Sequence, residues 1–380
     1  MMGSSLFDPR VLGAAPAGLR RERMHASPRF RDGRFHNTAP LAEPMAEQPL
    51  SKRMSIIGEF FFRRDGRSPR APFPVASPLE AWQSPVPGEL RATWLGHSTV
   101  LLELDGFRVL TDPVFGERVS PLPWAGPKRF HRTPALVSEL PHLDAVIVSH
   151  DHFDHLDHPT ILELARRDVT FFTSLGVGAH LEAWGVTPSR IVELDWWESA
   201  TLAGGRLSFT ATPSQHFSGR GVGSNRTAWS SFVVRTDRHC VFFSGDTGLT
   251  PELVDIGKRC GPFDLVMLEI GAFHPAWGSI HLGPDNALAA RRMLGSGTLL
   301  PVHWGTFDLG LHPWAEPAEI LATRAPAEGV HVVTPRLGEA VLPSRIERID
   351  PWWREVRAQE IAQSPRRSSV PSSMRIGASR

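Results

Sequence analysis

Residues 148–160 read VSHDHFDHLDHPT, which places four histidines and three aspartates within thirteen positions. The run Ala145 to Val148 is apolar and β-branched, so a buried strand delivers the cluster to one place. His150 and His152 are two residues apart, and on an extended segment they point to the same side and reach one ion. Asp154 and His155 follow at the turn and can face a second ion beside the first. Imidazole nitrogen and carboxylate oxygen suit Zn²⁺, with Mn and Fe as alternative occupants. The bland reading, a hydrated histidine-rich loop, does not account for what lies elsewhere in the chain.

Three other strand-like runs also end in a candidate ligand: TPSQ before His216, VFFSG before Asp246 and LLPV before His303. Loops at the ends of strands on a rigid sheet are where sites are built. The assignment that uses all of them gives one metal His150, His152 and His216, gives the other Asp154, His155 and His303, and lets Asp246 bridge the two. Open positions remain for a bridging hydroxide, formed from a water whose pKa two cations lower toward neutrality. Asp157 reads as the N-cap of the helix HPTILELARRD, and Asp151 as a bystander. His158 reads as a pocket-wall or surface residue. His131, His142, His239 and His312 lack the strand-end context.

Organised patterning begins near Leu90. The stretch RATWLGHSTVLLELDGFRVLTDP reads as three short strands with Asp105-Gly106 as a hairpin turn. Strands dominate from there, with helices such as GPDNALAARRML inserted, so layers of sheet and helix are expected. Residues 89–345 form the domain on this reading. Residues 1–88 form a partly ordered, basic, Pro-rich extension, and 346–380 a basic, disordered tail. The first seventy residues hold thirteen Arg or Lys against seven Asp or Glu. The stretch MSIIGEFFFRRDGR (54–67) reads either as an interfacial anchor or as a segment packed on the domain.

The bulk numbers narrow the function classes. Hydrophobic content of 41% and charged content of 21% are ordinary for a globular protein. A net charge of +1 argues against a general nucleic-acid binder. No stretch approaches the ~20 apolar residues of a spanning helix, and no signal peptide is expected. Two cysteines, Cys240 and Cys260, make no disulfide framework and fit a reduced, cytoplasmic setting. The chain has no tyrosine and twelve tryptophans, a bias with no evident cause in the sequence.

The motifs TWLGHSTVLLELD, LTDPVF, SPLPWAGPKRF, SELPHLDAVIVSHDHFDHLD, ELDWWE, TPSQHF, FSGDTG, IGKRCGPFDL and HWGTF run in order from about residue 91 to 310. They resemble the metallo-β-lactamase superfamily and, within it, the N-acyl-phosphatidylethanolamine-hydrolysing phospholipase D family and its bacterial relatives. The motifs GPKRF, ELDWWE and HWGTF point to that particular family. The resemblance implies an α/β fold, a four-layer αββα sandwich, with two Zn²⁺ on the seven ligands assigned above. It also implies cleavage of a phosphodiester by a metal-bridging hydroxide, releasing phosphatidic acid and an N-acylethanolamine. Asp112 matches a family aspartate near the site, where it either orients a metal-ligating imidazole or caps a strand end. His281 matches a family histidine that faces substrate, with a phosphate oxygen or the leaving alkoxide as its partner.

Lys128 and Arg129 read as an anion clamp or as a solvated basic pair, and Trp124 as pocket wall or core. Between Trp277 and His281 the chain is shorter than the mammalian enzymes, so the loop carrying His281 is expected to sit differently. The implied partner is a phospholipid or other small amphiphilic phosphodiester, with no nucleic acid. Peripheral contact with the inner membrane face and a homodimer both stay open. Hydrolysis of a lactone or carboxylic ester, or of another phosphodiester, is the alternative reading.

Overall fold

The computed structural model describes residues 7–41, 49–62, 66–221, 223–277 and 279–363. In the N-terminal extension a helix, Gly18–Ala26, leads into a hairpin of β1 (Phe30–Arg31) and β2 (Arg34–Phe35). Met24 and Phe35 are buried against Leu175, Ala228 and Trp229, so this part of the extension packs on the main body. A helix over Leu50–Phe62 covers most of the expected interfacial anchor. Its Ile56 is buried and its Met54 exposed. The side chains of Ile57 and of residues 60–62, and all of residues 63–65, lie outside the described residues.

Two sheets follow. The strands β3 (Leu90–Gly96), β4 (Thr99–Leu104) and β5 (Phe107–Thr111) form the antiparallel meander expected from the sequence. Asp105 and Gly106 between β4 and β5 both take positive φ, 49° and 88°, as a tight Asp-Gly hairpin turn requires. After these come β6 (Ala145–Val148), β7 (Thr170–Ser174), β8 (Ile191–Leu194), β9 (Ser199–Leu202), β10 (Leu207–Thr212) and β11 (Ser231–Arg235). The last are β12 (Cys240–Phe243), β13 (Leu265–Glu269), β14 (Thr298–Val302) and β15 (Ala340–Val341). One sheet has the order β15-β3-β4-β5-β6-β7-β8 and the other β14-β13-β12-β11-β10-β9.

The apolar pattern of β6 shows why the layers stack. Ala145 and Ile147 enter the core between the sheets, while Val146 and Val148 enter the core beneath helices His158–Leu164 and Gly178–Ala183. Both faces are buried, so the strand is apolar throughout. Phe172 of β7 stacks on Phe209 of β10 at 3.8 Å and ties sheet to sheet. Helices Glu252–Cys260, Gly283–Leu294 and Glu316–Arg324 cover the six-stranded sheet through Leu253, Ile256, Leu288 and Leu321. The result is helix, sheet, sheet, helix: an αββα sandwich.

Strand direction gathers the functional ends. β5 and β6 are parallel, as are β12, β13 and β14. β10 lies two antiparallel steps from β12 and so runs the same way as β12. The residues after β5, β6, β10, β12 and β14 therefore emerge at one end of their sheets. The β3–β4 turn, with His97, lies at that end too, because β4 is antiparallel to β5.

The tail expected to be disordered from residue 346 is instead ordered to the end of a helix, Trp352–Gln363. Its basic, Ser- and Pro-rich composition hid a two-residue anchor, since Trp352 and Trp353 are both 0% exposed. Trp94, Trp304, Trp314, Trp352 and Trp353 form one aromatic cluster, with Trp94 on Trp304 at 5.3 Å and Trp304 on Trp352 at 5.5 Å. That cluster accounts for five of the twelve tryptophans. Trp352→Ala should destabilise the domain by about 3–5 kcal/mol in denaturant unfolding. A loss below about 1 kcal/mol would show that the helix is not part of the cooperative unit.

Candidate metal centre

Seven side chains from four strand ends converge. His150, His152, Asp154 and His155 follow β6; His216 follows β10, Asp246 follows β12 and His303 follows β14. His150 Nε2 lies 2.8 Å from His152 Nδ1, which lies 3.3 Å from His216 Nε2. His216 Nε2 and His150 Nε2 stand 3.5 and 3.9 Å from Asp246 Oδ2. On the other side, His303 Nε2 is 3.3 Å from both Asp154 Oδ2 and Asp246 Oδ2. His155 Nε2 is 3.5 Å from Asp154 Oδ2 and 3.1 Å from Asp246 Oδ1. Asp246 thus touches both groups. Ligands at roughly 2.0–2.1 Å from a tetrahedral zinc stand about 3.3 Å apart, which is the spacing seen here.

Local backbone choices make this convergence possible. Asp112, His97 and His303 sit at positive φ (30°, 53° and 61°), a region that Asp and His enter more readily than most residues. Gly245 (φ 53°) precedes Asp246, and a Cβ there would lie 2.7 Å from Ser149 Cβ. Only glycine lets the end of β12 approach β6 so closely.

Hydrogen bonds behind the ligands set which nitrogen faces inward. His155 Nδ1–H donates to Asp112 Oδ2 at 2.6 Å. Ser149 donates its N–H to Asp112 Oδ1 at 2.7 Å and its hydroxyl to Oδ2 at 2.6 Å. The same hydroxyl lies 2.9 Å from His150 Nδ1 and accepts a hydrogen bond from its N–H. His216 Nδ1–H donates to the Ile280 carbonyl at 3.0 Å. One buried carboxylate, Asp112, therefore orients two imidazoles, one directly and one through Ser149, and turns both Nε2 atoms toward the centre.

The donor set fits divalent cations. Asp112, Asp154, Asp246 and Glu269 are all withdrawn from water, and among the described residues no Lys or Arg pairs with any of them. Buried carboxylates without a cation are costly. Of the ligand imidazoles, His303 and His155 are the ones drawn toward the charged form. Burial opposes protonation of His303, but Asp246 and Asp154 outweigh it and push its pKa up to about 10. For His155 burial is likewise overcome, by Asp246, Asp154 and Asp112, and its pKa rises well above the usual value. Even so, His155 Nε2, His303 Nε2 and Asp246 Oδ1 are buried without a hydrogen-bond partner. These orphaned atoms point at the same space, which a cation would satisfy.

Other residues take positions that the sequence reading did not assign. His97 Nε2 lies 3.1 Å from Asp154 Oδ2, and burial together with His303 lowers its pKa to about 3. Glu269 Oε2 accepts from His281 Nδ1 at 2.6 Å. Both had a signal: Glu269 ends the apolar run VMLE as Asp246 ends VFFSGD, and His97 occupies the turn WLGHS. Asp151 holds no metal position. Its carboxylate accepts from Thr227 Oγ1 and from the Gly219 N–H, each at 2.7 Å, and so ties down the loop after His216. Asp157 stands at the N-cap of the His158–Leu164 helix, where it accepts from the Gly116 N–H at 3.1 Å and from the Thr160 hydroxyl.

The residues expected to contact substrate lie elsewhere. Lys128 pairs with Glu117 at 2.7 Å on the surface. Arg129 turns inward, donates to the Val114 carbonyl at 2.6 Å and covers the Phe307 ring. Its loop is rich in proline, hence short of N–H donors, and the guanidinium satisfies the carbonyls left over. His158 packs on Trp184 at 4.8 Å, and Trp124 is 64% exposed. None of the four lines the cavity in front of the ligands. Asp112→Ala should weaken metal binding by about 10–100-fold in chelator competition. Unchanged affinity would mean that Asp112 only shapes the strand end.

Comparison with known proteins agrees with this geometry. The profile for the Beta-lactamase superfamily domain matches residues 107–304. An uncharacterized protein of Mycobacterium tuberculosis is 44% identical over 91% of this chain and 92% of its own length. The N-acyl-phosphatidylethanolamine-hydrolyzing phospholipase D 1 of Caenorhabditis elegans is 35% identical over 66% of this chain and 75% of its own. Among solved structures, the metallo hydrolase Igni18 from Ignicoccus hospitalis superposes with a TM-score of 0.53 at 23% identity, over 66% of this chain and 97% of its own. With its ligand cluster at the strand ends, the chain belongs to the metallo-β-lactamase superfamily as a metal-dependent hydrolase homologous to the N-acyl-phosphatidylethanolamine-hydrolysing phospholipases D.

Proposed function

We propose that the protein is a dinuclear zinc hydrolase that cleaves a phosphodiester bond in N-acyl-phosphatidylethanolamine or a phospholipid of similar build. The observation that carries this reading is the lining of the cavity over the ligands. It holds about 550 Å³, with His152, Asp154, His216, Asp246 and His303 on its polar side. Leu41, Phe217, Ala272, Trp277, Ile280 and Leu309 supply an apolar wall. An amphiphile with a charged, reactive centre and acyl chains suits such a lining. The name of the Caenorhabditis elegans relative supports the same substrate class.

Cations bound by these seven side chains would make water a nucleophile at neutral pH and offset the charge on the substrate's oxygens. The chain's own residues do the rest. Asp246 reaches both ligand groups and sets their separation. His281 lines the cavity with Nδ1 committed to Glu269, which leaves Nε2–H for a phosphate oxygen or the leaving alkoxide. Burial alone would lower the pKa of His281, but the Glu269 carboxylate outweighs it and raises that pKa. The imidazolium is thereby kept available as a proton donor.

Two outcomes follow. Asp246→Asn should abolish turnover and lower the metal content below two ions per chain by elemental analysis; full activity would reject the bridging role. In Glu269→Gln the negative partner is gone, so the pKa of His281 falls and the alkaline limb of the kcat profile should move to lower pH. A limb that stays in place would remove His281 as the proton donor.

A second reading has its own support. Among the described residues the cavity lining contains no Lys or Arg, which suits an uncharged carbonyl as well as a phosphodiester. Purified protein offered N-acyl-phosphatidylethanolamine, a lactone and bis-p-nitrophenyl phosphate should turn over the phosphodiesters. Turnover of the lactone alone would replace the first reading with a lactone or ester hydrolase.

A further inference from the structure

We infer that Asn37, in the N-terminal extension, is a positioning residue of the metal centre that fixes the main chain of His216. The inference rests on the reading of His216 as a metal ligand. Asn37 Nδ2 donates to the His216 carbonyl at 2.8 Å, and the His216 N–H donates to Asn37 Oδ1 at 3.1 Å. The side-chain amide thus pairs with both polar groups of one residue, as a neighbouring strand would. His216 needs this because it stands beyond the end of β10, where no strand partner remains for its backbone.

A primary amide offers donor and acceptor in one planar group, which an ionised carboxylate or a single hydroxyl does not, so Asn suits this position better than Asp or Ser. Its orientation is set from a third side, since Trp229 Nε1–H donates to Asn37 Oδ1 at 3.1 Å. With Nδ1–H on the Ile280 carbonyl at 3.0 Å, His216 is held at its N–H, its C=O and its ring. Nε2 is then left to face the centre, 3.3 Å from His152 Nδ1 and 3.5 Å from Asp246.

The extension is anchored firmly enough to serve as a template. Phe35, two residues before Asn37, is 0% exposed in the cluster with Met24, Leu175 and Trp229. Its N–H donates to the Asn225 carbonyl at 2.8 Å, and Asn225 N–H donates to the Ser218 carbonyl at 2.9 Å. Arg29 pairs with Asp195 and lies 3.7 Å over Trp196, which explains the ELDWWE motif as a dock for the extension. Four residues past Asn37, Leu41 enters the cavity wall. The basic extension therefore contributes to the site from behind a ligand and beside the substrate.

The test titrates metal-free, full-length protein with Zn²⁺ against a chromophoric chelator, using wild type, Asn37→Ala, Asn37→Asp and Arg23→Ala. Asn37→Ala and Asn37→Asp should weaken at least one binding step by about ten-fold or more. Loaded with Co²⁺, they should also show altered visible absorption, because His216 Nε2 moves. Arg23→Ala breaks an exposed ion pair of the same extension with Glu198 and should bind as wild type does. Zinc affinity within about two-fold of wild type and an unchanged cobalt spectrum in both Asn37 variants would overturn the inference, even if they melt earlier. Should the alanine variant not fold, Asn37→Asp decides, since it keeps the acceptor for the His216 and Trp229 N–H groups but replaces the donor with a carboxylate oxygen that the His216 carbonyl repels. Wild-type protein that takes up no zinc would instead refute the metal centre on which the inference rests.

Discussion

Four carboxylates gathered away from water, with histidine as their only cationic partner among the described residues, set the main constraint on this molecule. Asp112, Asp154, Asp246 and Glu269 repel one another in a medium that screens charge poorly. Imidazoles placed between them relieve part of this by holding protons, and divalent cations relieve more of it. The close approach of β12 to β6 at Gly245 and the positive φ values at the strand ends all serve to bring each of these carboxylates within 4 Å of an imidazole. Local strain of this kind persists where the surrounding structure over-determines it.

Both termini contribute to that over-determination. The Trp352–Trp353 anchor lies in the aromatic cluster that includes Trp304, the neighbour of His303, and Trp94, whose indole donates to the His97 carbonyl at 2.9 Å. The His303 N–H donates to that same carbonyl at 3.0 Å. From the other side Asn37 holds His216. Segments that composition marks as basic and polar are thus tied to the metal ligands by a few aromatic and amide contacts. No helix among the described residues is long and apolar enough to cross a membrane.

The sequence was most legible where one chemical property repeats. Seven candidate ligands at the ends of apolar runs stood out because a charged or imidazole group that closes a buried strand has few reasons to be there. The αββα layering followed from strand patterning and the family motifs. Arg129 misled because a basic pair in a loop looks the same whether it faces an anion or its own carbonyls. Trp352 and Trp353 were lost in a polar stretch, since two residues cannot shift a composition average. Glu269 and His97 were readable by the rule that found Asp246, but each lies in a run whose apolar neighbours suggest only a strand.

The sequence by itself determined the ligand types, their order along the chain and the strands that deliver them, because these depend on local periodicity and on the chemistry of single side chains. Only the tertiary structure decided that Asp246 lies between the two ligand groups and that Asp112 orients His155 and His150. It alone decided that Glu269 backs His281 and that Asn37 reaches His216 across 179 positions. The physical reason is that hydrogen bonds and charge pairs act over a few ångströms of space, whatever the distance along the chain. Which residues share that space is settled by how the two sheets pack.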